Sequence, residues 1–264
     1  MEERIMMNET ITQIKKRKSV RIFEDRPIPA EIKDELLEAA FQAPTAGAMM
    51  LYSIIDVTDQ SLKEKLAVSC DNQPFIAKAP LVLIFLADYQ RWYDTFVFAG
   101  CEVRKPGEGD LLLACADAVI AAQNTVVAAE SLGLGSCYIG DIIENYEVVR
   151  PLLDLPEFVI PAAMLVYGYP AESQKNRKKP PRFDREYIVY ENAYRRFSSQ
   201  EHTEMHARLN RKLHNAEKDT PESIRAFCKR KYMSDFSLEM SRSAGKYMDQ
   251  FRNNREEVTK DGKG

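Results

Sequence analysis

The chain has 264 residues, of which 45% are apolar, 9% aromatic and 29% charged, with 11 Gly and 13 Pro; this excludes a disordered, collagen-like or disulfide-stapled chain and leaves enough apolar material for a substantial core. The net charge of −3 argues against a general polyanion binder, yet residues 1–170 carry 15 Lys and Arg against 25 Asp and Glu, while residues 171–264 carry 22 against 15. No run of 18 uncharged apolar residues occurs and the start, Met1-Glu2-Glu3-Arg4, lacks the apolar stretch of a secretory signal, so a soluble, cytoplasmic protein with no membrane association is expected.

Residues 8–16 read as a short helix capped by Asn8 or Thr10, with Ile11 and Ile14 on one side. The periodicity then stops at Arg17-Lys18-Ser19-Val20-Arg21, where three cations surround a hydroxyl. Pro27 and Pro29 precede a second helix, 30–42, whose Ile32, Leu36, Leu37 and Ala40 share a stripe, and Ala43-Pro44-Thr45-Ala46-Gly47 ends it as a loop. Apolar, β-branched runs at 51–57 and 81–87 are expected strands. The longest helix, 110–132, is alanine-rich, apolar nearly all round and capped by Asp110, which suits a domain core or a subunit seam. A short strand at 137–139, a helix at 145–154 and a strand at 160–167 follow. The mixture predicts an α+β fold, a three-layer α/β/α sandwich. Residues 171–185 read as a basic loop and residues 198–252 as amphipathic helices, with the last dozen frayed.

Familiar chemistry is scarce. Five scattered cysteines form no CxxC pair, and His202 and His206 lack the Glu that a zinc peptidase helix needs, so no metal site is expected. Gly133, Gly135 and Gly140 have neither the spacing nor the strand-to-helix setting of a dinucleotide fingerprint. What remains is two basic clusters far apart in sequence: Arg17, Lys18 and Arg21, and then Lys175, Arg177, Lys178, Lys179 and Arg182. Folded together they could hold one phosphate or pyrophosphate. A nucleic-acid surface is disfavoured by the interspersed Glu201, Glu204, Glu217, Asp219 and Glu222.

Six segments occur in an order that resembles the FMN-dependent nitroreductases, in particular the group with NADPH-dependent nitroreductases and flavin reductases: Lys16 to Phe23, Gln42 to Gly47, Gln73-Pro74-Phe75 with Ala79-Pro80, Gly133 to Gly140, Gly168-Tyr169-Pro170 and Glu191-Asn192. The resemblance covers residues 10–195. It implies a nitroreductase-like fold with a mixed, mostly antiparallel sheet and a long central helix, in a domain over 1–197; the helical extension over 198–264, being basic, is expected to pack on the acidic body of a dimer partner. By the same resemblance Arg17, Ser19 and Arg21, with Lys18 between them, grip the FMN phosphate and ribityl chain, and Gln73 contacts the flavin. Tyr138, Ile139 and Gly140, with the amide of Asp141, lie along the ring, while Arg182 and its neighbour Lys179 reach the phosphate. No side chain is assigned as catalytic, because the cofactor carries the chemistry. The chain departs from the family pattern at Ala48, where a side-chain amide is usual, and at Asp141, where a second glycine is usual. The implied function is an FMN-dependent NAD(P)H oxidoreductase, a homodimer passing hydride from NADPH or NADH to a nitroaromatic, quinone or flavin acceptor. A flavin-binding protein without turnover is the alternative.

Overall fold

A computed structural model of the chain describes residues 8–214 and 221–252; the frayed end expected after residue 252, and the acids Glu217 and Asp219, lie outside the described residues. In chain order the elements are α1 (Glu9–Lys16), α2 (Ala30–Phe41), β1 (Tyr52–Asp56), α3 (Gln60–Ser69), α4 (Pro74–Ala77), β2 (Leu81–Asp88), α5 (Gln90–Phe98), α6 (Glu108–Ser131), β3 (Gly135–Ile139), α7 (Tyr146–Leu152), β4 (Val159–Gly168), α8 (Glu172–Lys175), α9 (Ser199–His214), α10 (Pro221–Lys231) and α11 (Asp235–Arg252). They form two compact units, one of residues 1–177 and 239–264, the other of residues 178–238.

In the first unit the strands form one sheet in the order β1-β2-β4-β3, with every strand pair antiparallel and a bulge between Phe85 and Leu86. The parallel component of the expected mixed sheet is an isolated bridge, Ser19 to Ser136. β2 is buried along its whole length because both sheet faces are covered. Leu83, Phe85, Leu165 and Tyr167 face Leu36 and Ala40 of α2 and Ala118, Ala121, Ala122, Val126 and Ala129 of α6. Val82, Ile84, Met164 and Val166 face Leu66 and Ala67 of α3, Val149 of α7, and Tyr247 and Phe251 of α11. Small alanines let α6 lie close to the sheet. That face, expected as a possible subunit seam, is therefore spent within the chain, while Leu112, Leu113, Val119 and Ile120 of the same helix stay exposed. The cap of α6 also differs from expectation. Gly107 is the N-cap, and the Asp110 side chain reaches back to accept its N–H at 2.7 Å, while Arg104 pairs with the same carboxylate.

The segment expected as a single C-terminal extension is divided, and the expected boundary at 197/198 falls inside the second unit. From Glu239 on, α11 belongs to the first unit. Tyr247 and Phe251 are buried there, Ser243 Oγ accepts the Tyr146 N–H at 3.0 Å, and Arg242 bridges Glu147 and Glu239. This helix thus packs on its own body, where the expectation was a partner, with Tyr247 and Phe251 at one-turn spacing on the face it buries. In the second unit, α9 is tied to the turn Arg185–Tyr187 by Arg208–Glu186 (2.8 Å) and Lys212–Asp184 (2.5 Å). His202 and His206 stand edge-on to Phe197 and Phe227, a packing role.

Candidate functional site

Arg17 leaves α1 in extended backbone (φ −50°, ψ 133°), and the chain runs on as a strap beside β3, where the Val20 N–H donates to the Ser136 carbonyl at 2.9 Å. Gly135 permits that approach: a Cβ there would stand 2.6 Å from Val20 Cγ2 and 2.8 Å from its Cβ. Extended backbone alternates its side chains. Arg17, Ser19 and Arg21 all act on the Cys137 thiol, which burial pushes up and which Arg21, a hydrogen bond from Ser19, Arg17 and Arg177 pull back. Lys18 turns elsewhere, donating to the carbonyls of Lys175 (2.6 Å) and Arg177 (2.7 Å), and Arg177 in turn donates to the Ser19 carbonyl at 2.7 Å. The strap is therefore laced to the chain that follows β4. Lys18, expected at the cofactor, serves as part of the lacing.

Two polar atoms in this region are buried without a hydrogen-bond partner, Arg17 Nε and Ser136 Oγ. Three guanidiniums around a hydroxyl, with spare buried donors, match the chemistry of a phosphate or sugar-phosphate chain. The sequence had placed Arg177 only within a basic run and had assigned no role to Ser136.

Gln73 and Asp141 meet: the Gln73 amide donates to Asp141 Oδ1 at 3.0 Å and to the Cys70 carbonyl at 2.9 Å. Arg21 lies over the Phe75 ring at 5.9 Å. Beside them Gly140 is exposed, and a Cβ there would touch nothing within 4 Å. Tyr138 and Ile139 contribute backbone to this edge but turn their side chains away. Ile139 is in the core, and the Tyr138 hydroxyl donates to Gln123 at 3.3 Å, its pKa pushed by burial to about 12. Lys179 and Arg182 belong to the second unit, where Arg182 donates to the Pro180 carbonyl at 2.7 Å.

The loop before β1 is held from below by Asp117, 3% exposed, which accepts from Thr45 Oγ1 and from the N–H groups of Ala46 (3.0 Å) and Leu51 (3.1 Å). From α5, Trp92 donates to the Met49 carbonyl at 2.7 Å and Arg91 to that of Met50. These bonds keep Gly47, Ala48 and Met50 at positive φ. Ala48, at φ 56°, occupies a conformation that costs a Cβ-bearing residue about 1 kcal/mol. Ala48→Gly is accordingly expected to raise the unfolding free energy by up to about 1 kcal/mol in a urea titration.

Sheet, central helix and strap together define a known class of protein. A family model described as the nitroreductase family matches residues 14–169, and the chain belongs to that family. It is 36% identical over 190 residues, 71% of this chain and 75% of the relative, to the FMN reductase (NADPH) of Bacillus subtilis (strain 168). It is 36% identical over 176 residues, 67% of this chain and 71% of the relative, to a Cr(VI) reductase of Pseudomonas sp. (strain G-1). Among solved structures it resembles the NfrA1 nitroreductase of B. subtilis, with a TM-score of 0.73 and 31% identity over 88% of this chain and 98% of that one.

Proposed function

We propose that this chain is an FMN-dependent NAD(P)H oxidoreductase whose phosphate cradle is Arg17, Ser19, Arg21 and Arg177. The observation that carries this is the pair of buried, unpartnered polar atoms, Arg17 Nε and Ser136 Oγ, at a strap where three guanidiniums act on one point. When bound, the flavin supplies hydride transfer between a nicotinamide and an acceptor. The residues do the rest. Guanidiniums neutralise the phosphate, Ser19 and Ser136 offer hydroxyls to the sugar-phosphate chain, and Gly140 leaves a flat ring room beside the amides of Gly140 and Asp141. Gln73 is fixed by two hydrogen bonds, so it approaches a ligand in one orientation. For Lys179 and Arg182 the support is the resemblance alone.

The test is spectroscopic. Purified protein is expected to be yellow and to bleach anaerobically with NADPH or NADH. Arg17→Ala is expected to raise the FMN dissociation constant by about tenfold to hundredfold, the worth of one charged hydrogen bond, with its circular dichroism unchanged. A protein that stays colourless after soaking in FMN overturns the reading. Ala48, which offers no side-chain amide at the ring's edge, favours a second reading, a flavin holder without turnover; it would be yellow yet fail to bleach.

The same reading makes the protein a cytoplasmic homodimer that reduces small molecules. Supporting this, Leu112 (70% exposed), Leu113, Val119 and Ile120 form an uncovered apolar stripe at seven-residue spacing on α6, suited to a second copy. All five cysteines are free, as in a reducing compartment. Leu112→Glu with Val119→Glu is expected to yield monomers in sedimentation analysis; an unchanged dimer would exclude this face.

A further inference from the structure

Asp71, Asp141 and Glu144 each bring a carboxylate oxygen within 4.8 Å of the other two. Glu144 is 2% exposed and its Oε1 has no hydrogen-bond partner. The charges that act on it are all negative: Asp71 from the turn after α3, Asp141 from the turn after β3, and Glu239 from α11, the last already tied to Arg242. Cys70 is a buried thiol that burial, and then the charges of Asp141, Glu144 and Asp71, hold protonated. Three ionised carboxylates at this range, with only acidic side chains among the described residues acting on Glu144, is an arrangement that one proton relieves, and the buried member takes it, since water solvates the exposed Asp71 and the half-exposed Asp141 better.

We propose that Glu144 stores a proton at neutral pH and releases it through Asp141 to the acceptor at the edge formed by Gln73 and Gly140, acting as a proton-positioning residue for the second half of the reaction. This rests on the flavin reading above. The chemistry balances. Hydride delivered to a quinone carries two electrons and one proton's worth of hydrogen, so the neutral hydroquinone needs one proton more. One O–H bond breaks at Glu144 and one forms on the acceptor oxygen, and the carboxylate left behind is reloaded from water through Asp141. Asp141 suits the relay, because its Oδ1 is already anchored by Gln73 at 3.0 Å.

The first arm of the test uses flavin-free protein labelled with carboxyl-13C glutamate. The resonance that disappears in Glu144→Gln is expected to titrate with a midpoint near 7. It should move down in Asp141→Asn, which removes one negative neighbour. Because the folded state binds this proton more tightly than the unfolded chain, stability is expected to fall as pH rises from the ordinary glutamate range through neutrality, and Glu144→Gln flattens that slope. A midpoint in the ordinary carboxylate range overturns the proposal. So does saturable binding of Mg2+ or Mn2+ that shifts the resonance, since a cation would then supply the counter-charge. The second arm uses flavin-loaded protein in stopped flow, with NADPH bleaching as the internal reference. In Glu144→Gln the rate of reoxidation by 1,4-benzoquinone, relative to bleaching, is expected to fall at least about tenfold and to lose its inflection near neutral pH; an unchanged profile overturns the proposal. A colourless wild-type protein defeats the flavin reading and this role with it, whereas a yellow protein with an ordinary Glu144 midpoint defeats the role alone.

Discussion

Tyr247→Ala is expected to lower the unfolding free energy by about 3–5 kcal/mol, while Tyr247→Phe is expected to keep it or raise it by up to about 1 kcal/mol. Tyr247 is 1% exposed, packs edge-on against Tyr146 at 4.7 Å and belongs to the core beneath the sheet. Truncation leaves a cavity that the surrounding strands and helices cannot close. Its hydroxyl, however, is buried without a partner. The phenol has lost water and gained nothing, so removing the oxygen relieves a cost that removing the ring multiplies. Urea titrations of the two variants decide the matter. If the Phe variant lost stability comparable to the Ala variant, the hydroxyl would have a partner and α11 would be held differently.

Gly135→Ala is expected to damage stability and cofactor affinity together. The new methyl would stand 2.6 Å from Val20 Cγ2, 2.8 Å from Val20 Cβ and 3.0 Å from Pro170 Cγ. Val20 is buried and cannot swing aside, so the strap has to rise from β3. Overpacking of this kind costs about 1–3 kcal/mol. It also moves Ser19 and Arg21, Val20's neighbours, away from Ser136 and Cys137, and the FMN dissociation constant should increase at least about tenfold. Gly109→Ala is the control. It lies in the first turns of α6 with nothing within 4 Å of a new Cβ, and alanine there should be neutral or stabilising by about 0.5–1 kcal/mol. Equal FMN affinity in wild type and Gly135→Ala would remove the strap from the binding site.

The strongest strands were legible because burial on both faces leaves an unbroken apolar run, as at Leu81–Asp88 and Val159–Gly168. α5 was not, since Trp92, Tyr93, Phe96 and Phe98 favour strands as isolated residues and become helical only by packing. The strap's location was legible through its cations, but its internal division was not drawn, although period-two alternation in an extended segment separates Lys18 from Arg17, Ser19 and Arg21. Which cation of the later run would reach Ser19 depends on where the chain turns after β4, and no local pattern distinguishes Arg177 from Arg182. The acid cluster was beyond reach for the same reason: Asp71 and Glu144 stand on α3 and α7 borders that only the sheet brings together. α11 shows the limit of amphipathicity, which reveals that a helix has a wet and a dry side but not which body it will dry against.

That helix also imposes an order of events on synthesis. The first unit is assembled from two stretches separated by residues 178–238, so a ribosome must deliver the whole intervening stretch before Tyr247 and Phe251 can close the floor under Ile142, Val149 and Phe158. Nascent chains that end before Glu239 are expected to display that floor to chaperones and proteases, and quality control would act on this unit until Tyr247 and Phe251 have been delivered.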